Sequence, residues 1–266
     1  ALKETKKKHL LAILKYLYLH NSSTMNELVE NLQLSQPSIR NMVRTLQEKQ
    51  LIQEVGNDLS SGGRCPTRFA LNEKNYLILC LYVQVDKVIY QLRNFNEIKK
   101  EGILFYQSED ELKKTIKDLI DQEKIHCCQI AVEGIVYEDV YVTDHHNVLE
   151  KHQWLKDIKK EINIPLQLQN DVKMIHQGCY FTYQQDSTYY LYINEVGIGS
   201  SFFYKDEPLY GRSGIMGEIG LISLKGKTIN QQIRECQNQE EFNEILSLLL
   251  SIVFTMIDPK RLELSL

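Results

Sequence analysis

Ser35, Gln36, Ser38, Arg40, Asn41 and Arg44 are crowded into one short segment whose intervening positions include Ile39, Met42 and Val43. Guanidinium groups set among hydroxyls and amides can bind phosphate oxygens and the base edges of a duplex major groove. Further along, Ser60-Ser61-Gly62-Gly63-Arg64-Cys65-Pro66-Thr67-Arg68 places two more arginines, Arg64 and Arg68, around a glycine pair and a proline. The glycines let a loop tip take positive φ and the proline stiffens the return. An arginine presented in this way suits the negative potential of a narrow minor groove. An ordinary solvated hairpin would use the same residues, so the surrounding elements decide between the two.

Those elements are short helices. Leu10, Leu11, Ile13, Leu14, Leu17 and Tyr18 keep an apolar stripe at helical spacing, which predicts a first helix over Lys3–His20. Asn21-Ser22-Ser23 breaks the stripe and offers an N-cap to a second helix carrying Met25, Leu28, Val29 and Leu32. A third helix opens at Gln36-Pro37, where proline occupies a first-turn position that needs no N–H donor. Its inward positions are Ile39, Met42, Val43 and Leu46, which leaves the six polar residues named above toward the other face or the N-terminus. Leu51–Val55 and Arg68–Leu71 read as two strands joined by the glycine-rich tip. Residues 1–72 are therefore expected to form a winged helix-turn-helix, with Ser35, Gln36, Ser38, Arg40, Asn41, Arg44, Arg64 and Arg68 as its DNA-binding set.

Charge agrees in sign. Residues 1–70 hold ten Lys and Arg against six Asp and Glu, a balance of +4, in a chain whose net charge is −4, so the remainder carries −8. A basic head on an acidic body is what phosphate contact asks for. With 266 residues, 43% hydrophobic and 25% charged, the chain has room for a second, larger domain. No apolar run approaches a membrane span, and the lysine-rich start lacks a small-residue cleavage pattern, so a cytoplasmic protein without membrane contact is expected. Six scattered cysteines and seven histidines have no metal-ligand spacing, and the cysteines read as reduced thiols. His145-His146 read as a polar loop.

Residues 73–266 alternate strand-like and helix-like patterns. Strands are expected over Tyr76–Val85, Lys87–Asn94, Glu101–Gln107, Cys127–Val132, Leu166–Gln169, Tyr189–Asn194 and Ser201–Tyr204, with helices over Glu109–Lys124 and Glu240–Ile257. Strands followed by helices, with polar residues at strand ends, imply an α/β architecture with its cleft at those ends.

The segments Leu34-Ser35-Gln36-Pro37-Ser38-Ile39 and Ser61-Gly62-Gly63-Arg64-Cys65-Pro66 resemble the DNA-binding head of the ROK family, the repressors, open reading frames and sugar kinases. In the larger part, Ile130-Ala131-Val132-Glu133-Gly134, Ile164-Pro165 through Asn170-Asp171, Gly197-Ile198-Gly199 and Gly217-Glu218-Ile219-Gly220 resemble successive blocks of the same family. The resemblance implies an actin-like or hexokinase-like ROK body behind the winged head. It also implies a remnant sugar pocket. In the family's kinases the aspartate matching Asp171 is the general base for a sugar hydroxyl, and the residues matching Asn170 and Glu218 hold hydroxyls. Gly134, Gly197 and Gly199 complete the implied pocket.

The departures from the family pattern concern phosphate and metal. Leu79-Cys80-Leu81-Tyr82-Val83-Gln84-Val85 lacks the acid and glycines of a kinase's first strand, Leu221 stands where a histidine is usual, and the zinc cysteines are missing. Cys65 takes the place of a second wing arginine, and Glu133 that of a proline. No cofactor, no metal and no kinase activity are expected. The resemblance implies a dimeric, non-catalytic transcriptional regulator of the xylose-repressor type, with DNA as its partner and a sugar or related small molecule as ligand. The alternative is an antirepressor of the methicillin-resistance type, which acts by binding another repressor protein.

Overall fold

The computed structural model describes residues 2–57, 65–145, 148–183, 186–194, 197–205 and 207–266. The chain divides into two compact units, one of residues 1–79, 91–101 and 123–127, the other of 80–90, 102–122 and 128–266.

The first unit begins with α1 (Leu2–His20), β1 (Ser23–Thr24), α2 (Met25–Leu32), α3 (Gln36–Glu48), β2 (Ile52–Asn57) and β3 (Thr67–Leu71). The three strands form one antiparallel sheet in the order β1-β3-β2. The α2 cap sits later than the sequence suggested. Ser23 and Thr24 pair with Phe69 and Arg68, and Thr24 is the N-cap, closed by a capping box with Glu27. The Thr24 hydroxyl accepts from Glu27 N at 3.2 Å and Glu27 Oε2 accepts from Thr24 N at 2.8 Å, which satisfies two helix-end donors at once. Helix α3 starts at Ser35, whose Oγ accepts from Ser38 N, with Pro37 in the first turn. Ile39, Met42, Val43 and Leu46 are buried at i, i+3, i+4 and i+7, and they share a core with Ile13, Leu17, Leu28, Ile52, Phe69 and Leu71.

The remaining elements are β4 (Ile78–Val83), β5 (Lys87–Arg93), β6 (Ile98–Phe105), α4 (Glu109–Asp121), β7 (Cys127–Val132), β8 (Ile135–Tyr137), β9 (Val140–His145), β10 (Val148–His152), α5 (Trp154–Glu161), β11 (Leu166–Asn170), α6 (Asp171–Tyr183), β12 (Ser187–Ile193), β13 (Ile198–Tyr204), β14 (Glu207–Pro208), β15 (Ser223–Leu224), β16 (Lys227–Thr228), α7 (Ile229–Glu235), α8 (Gln239–Met256) and β17 (Arg261–Ser265). A five-stranded sheet runs β11-β7-β4-β5-β6, and a four-stranded sheet runs β14-β13-β12-β17. Strands β11 and β7 are parallel, with Asn170 opposite Val132, so their carboxyl ends lie together. The second sheet packs Tyr189, Leu191, Ile193 and Ile198 with Ile229, Ile233, Leu249 and Val253 from α7 and α8. The region read as a polar loop around His145 is instead part of a three-stranded sheet, β10-β9-β8, in which His145 pairs with Val148; His146 lies outside the described residues. No helix among the described residues is long and apolar enough to cross a membrane.

Candidate ligand pocket and nucleic-acid face

Asp171 is the first residue of α6 and follows β11 directly. The carboxyl end of a parallel strand is where an α/β fold leaves a cleft. A cavity of about 510 Å³ opens there, and its walls include Tyr82, Glu133, Gly134, Asn170, Asp171, Gly197, Gly199 and Glu218. The structure thus brings together all six residues expected in the pocket. Three glycines hold its backbone close. A Cβ on Gly134, whose φ is +103°, would stand 2.2 Å from the Val142 carbonyl oxygen. One on Gly197 would meet Asn230 Oδ1 at 2.5 Å, and one on Gly199 would meet Val172 Cγ2 at 2.6 Å.

Asn170, Asp171 and Glu218 each have a partner within the chain, whereas Asp144 Oδ1, also on the cavity wall, is buried with no hydrogen-bond partner among the described residues. Asn170 donates from Nδ2 to the Gly134 carbonyl at 2.9 Å, and its Oδ1 accepts from Lys173 N at 2.9 Å. Asp171 accepts from Val172 N at 2.8 Å and from the Tyr82 hydroxyl at 3.2 Å. The same Tyr82 hydroxyl lies 2.9 Å from Glu133 Oε1, which also faces Gln84 Nε2 at 3.3 Å. Glu218 stands 3.8 Å from Lys173 Nζ.

Burial pushes the Asp171 carboxyl up to about 6, aided by the neighbouring Glu133 and opposed by the bonds from Val172 and Tyr82. Burial also pushes Glu218 up to about 7, against Lys173 and with Asp171. Tyr82 is driven well above the ordinary tyrosine range by burial and then by the two carboxylates. Tyr82, Glu133, Gln84 and Lys173 were not among the expected site residues. The sequence marks the run Leu79–Val85 only as lacking an acid and glycines, and a lysine in a helix gives no sign that it is buried.

The nucleic-acid set is distributed differently. Ser35, Gln36, Arg40, Asn41 and Arg44 are exposed around the first turns of α3, with Ser38 half-buried beside the Ser35 hydroxyl at 2.8 Å. Arg44 makes an exposed pair with Glu48 at 2.9 Å, a contact weak enough to yield to a phosphate. Arg68 does not join this face. Its guanidinium turns back onto Glu27 Oε2 at 3.1 Å, Ser22 Oγ at 3.1 Å and the Ser22 carbonyl at 3.3 Å. Glu27 is held below the usual carboxylate range by the Thr24 N–H, with help from Ser23 and Arg68. Arg68 therefore ties β3 to the start of α2. Arg64 lies outside the described residues. Among the described residues, no three His, Cys, Asp or Glu side chains converge to hold a metal.

Comparison with known proteins supplies the relatives of this arrangement. A xylose repressor of Staphylococcus xylosus is 24% identical over 229 residues, covering 78% of this chain and 58% of that protein. The crystal structure of a ROK family transcriptional regulator, a homolog of the E. coli Mlc protein, superposes with a TM-score of 0.65 at 16% identity, over 88% of this chain and 66% of that one. A ROK hexokinase from Thermus thermophilus shares the fold at a TM-score of 0.51 and 11% identity, over 71% of this chain and 81% of that one. The chain thus spans less than two thirds of the length of these two regulatory relatives. The actin/hexokinase-like α/β body is common to this chain and the two solved structures. The model of the ROK family matches residues 102–247, a stretch that contains Gly134, Asn170, Asp171, Gly197, Gly199 and Glu218, and the chain belongs to the ROK family.

Proposed function

We propose that the chain is a dimeric transcriptional regulator in which residues 1–72 form a winged helix-turn-helix and residues 73–266 a non-catalytic ROK body. The observation that carries this reading is the division of α3. Ile39, Met42, Val43 and Leu46 are buried, while Gln36, Arg40, Asn41 and Arg44 stand free of the core. A helix so divided fits a major groove, and two copies related by a dyad reach successive grooves about 34 Å apart. The 510 Å³ cavity is the place for an effector, and the likeness to a xylose repressor makes sugars and related small molecules the first class to try. The non-catalytic part rests on the first strand of the body: Leu79–Val85 carries neither the acid nor the glycines with which a kinase positions metal and phosphate.

The test is fluorescence anisotropy of the purified chain with DNA from its own upstream region, against random DNA. Preference for the upstream fragment, lost when Arg40 and Arg44 are replaced by alanine, is the expected result. Equal and weak binding to both DNAs overturns direct operator control. One observation favours a second reading, antirepression through another repressor protein: Arg68 is engaged internally, which leaves the DNA face with fewer cations than the sequence promised. A complex with such a repressor that forms without DNA distinguishes that reading from the first.

A further inference from the structure

Lys173 is the third residue of α6, and its side chain is only 1% exposed. Lysine is almost never buried to this degree unless its charge is matched. Here Nζ donates to the Gly214 carbonyl at 2.9 Å, stands 3.8 Å from Glu218 Oε1 and lies 5.8 Å from the centre of the Tyr210 ring. The carbonyl, the carboxylate and the aromatic face surround one ammonium group. The residue is also fixed through its backbone, since its N–H donates to Asn170 Oδ1.

This placement bears on the cavity because Glu218 is one of its walls. A hydroxyl approaching the Glu218 carboxylate competes with a cation that is covalently attached and cannot diffuse away. Pulling that cation off would leave a buried charge without its partner. A neutral polyol brings only dipoles in exchange. Asn170 and Asp171 are likewise engaged, but by backbone groups and a tyrosine hydroxyl, which bonds to incoming hydroxyls can replace. Above about pH 7, where Glu218 is ionised and where the titration below is run, it alone of the three is held by a full opposite charge.

We infer that Lys173 is the specificity-determining residue of this cavity, a built-in cation that takes the Glu218 carboxylate and bars neutral sugars from it. The inference rests on the reading of the cavity as the effector site. Burial holds the ammonium below the usual lysine range while Glu218 pulls it back, as expected of a cation kept in place by one carboxylate.

Isothermal titration of the purified chain above about pH 7 with D-glucose and with D-xylose tests it. Lys173→Met keeps the apolar stem and removes the charge. Lys173→Gln keeps a donor for the Gly214 carbonyl. Both variants should bind at least one of the two sugars about tenfold or more tighter than the parent, with unchanged circular dichroism. Parent and variants of equal affinity overturn the assignment, and so do folded variants that bind neither sugar. If Lys173→Met does not fold, Lys173→Gln carries the comparison. The parent alone also decides against the assignment if it binds either sugar with a sub-millimolar Kd. Anisotropy on the same preparations keeps the two readings apart: loss of sequence-preferring DNA binding strikes the regulator reading and leaves the sugar result standing.

Discussion

Tyr82 has one hydroxyl proton and two carboxylates beside it, Glu133 at 2.9 Å and Asp171 at 3.2 Å. A single donor cannot satisfy both in full, and burial pushes the Asp171 carboxyl up, with the bonds from Val172 and Tyr82 opposing the rise. Its carboxyl titrates near 6 instead of 3.8, so the folded protein holds a proton that the unfolded chain releases. The sign follows from that: the favourable contribution is complete below pH 4 and is lost as the pH climbs through 6. Glu218 behaves in the same direction, through about 7. Asp171→Asn removes the titration and keeps an Oδ1 for the Val172 N–H. The variant should be more stable than the parent by about 2 kcal/mol at pH 8 and equal to it at pH 4. Urea unfolding at the two pH values reads this directly. A difference that does not change with pH would show that the Asp171 carboxyl is not desolvated in the folded state.

At the scale of elements, two arginines that look alike in sequence have different work. Arg68 links β3 to the α2 cap through Glu27 and Ser22, whereas Arg40 stands exposed on α3. Arg68→Ala should lower the stability of the first unit by about 1–2 kcal/mol, the cost of a half-buried ion pair and its hydrogen bonds, and leave the salt dependence of DNA binding unchanged. Arg40→Ala should do the reverse. Thermal unfolding and anisotropy on the same two variants separate the roles, and equal effects of both on stability would contradict the assignment. The contrast shows what was legible. Helix α3 could be read because Pro37 in the first turn and four apolar residues at helical spacing point the same way, although its Ser35 cap was not foreseen. Strand β1 could not, because two residues have no period, and its role as the partner of Arg68 vanished with it. The pairing of β9 with β10 was missed for a related reason, since the sequence between the two strands contains no glycine to signal a hairpin. The pocket was legible through the resemblance of its Asn170-Asp171, Glu218 and glycine blocks to the family. Its internal partners, Tyr82 and Lys173, were not, because an aromatic strand residue and a helical lysine have ordinary exposed or core roles almost everywhere else.

For the whole molecule, charge sets how the proposed regulator would meet DNA. The chain is −4 overall, yet its first 70 residues are +4. The acidic remainder repels a polyanion over distances up to the Debye length, while the arginines of α3 act by displacing condensed counterions at contact. Added salt therefore has opposite effects on the two terms: it screens the repulsion and weakens the contacts. A plot of log K against log salt should be shallow at low ionic strength, where the Debye length is about 30 Å, and steepen above roughly 0.1 M, where it is about 10 Å. In the steep region each arginine on a phosphate contributes about 0.9 to the slope, so Arg40→Ala with Arg44→Ala should reduce it by about 2. The low-salt curvature should be the same in parent and variant, because it belongs to the acidic remainder and not to α3. A parent slope that is constant across the range would mean that the acidic remainder does not influence association. A slope unchanged by the double replacement would remove α3 from the DNA contact and leave protein-partner antirepression as the working account.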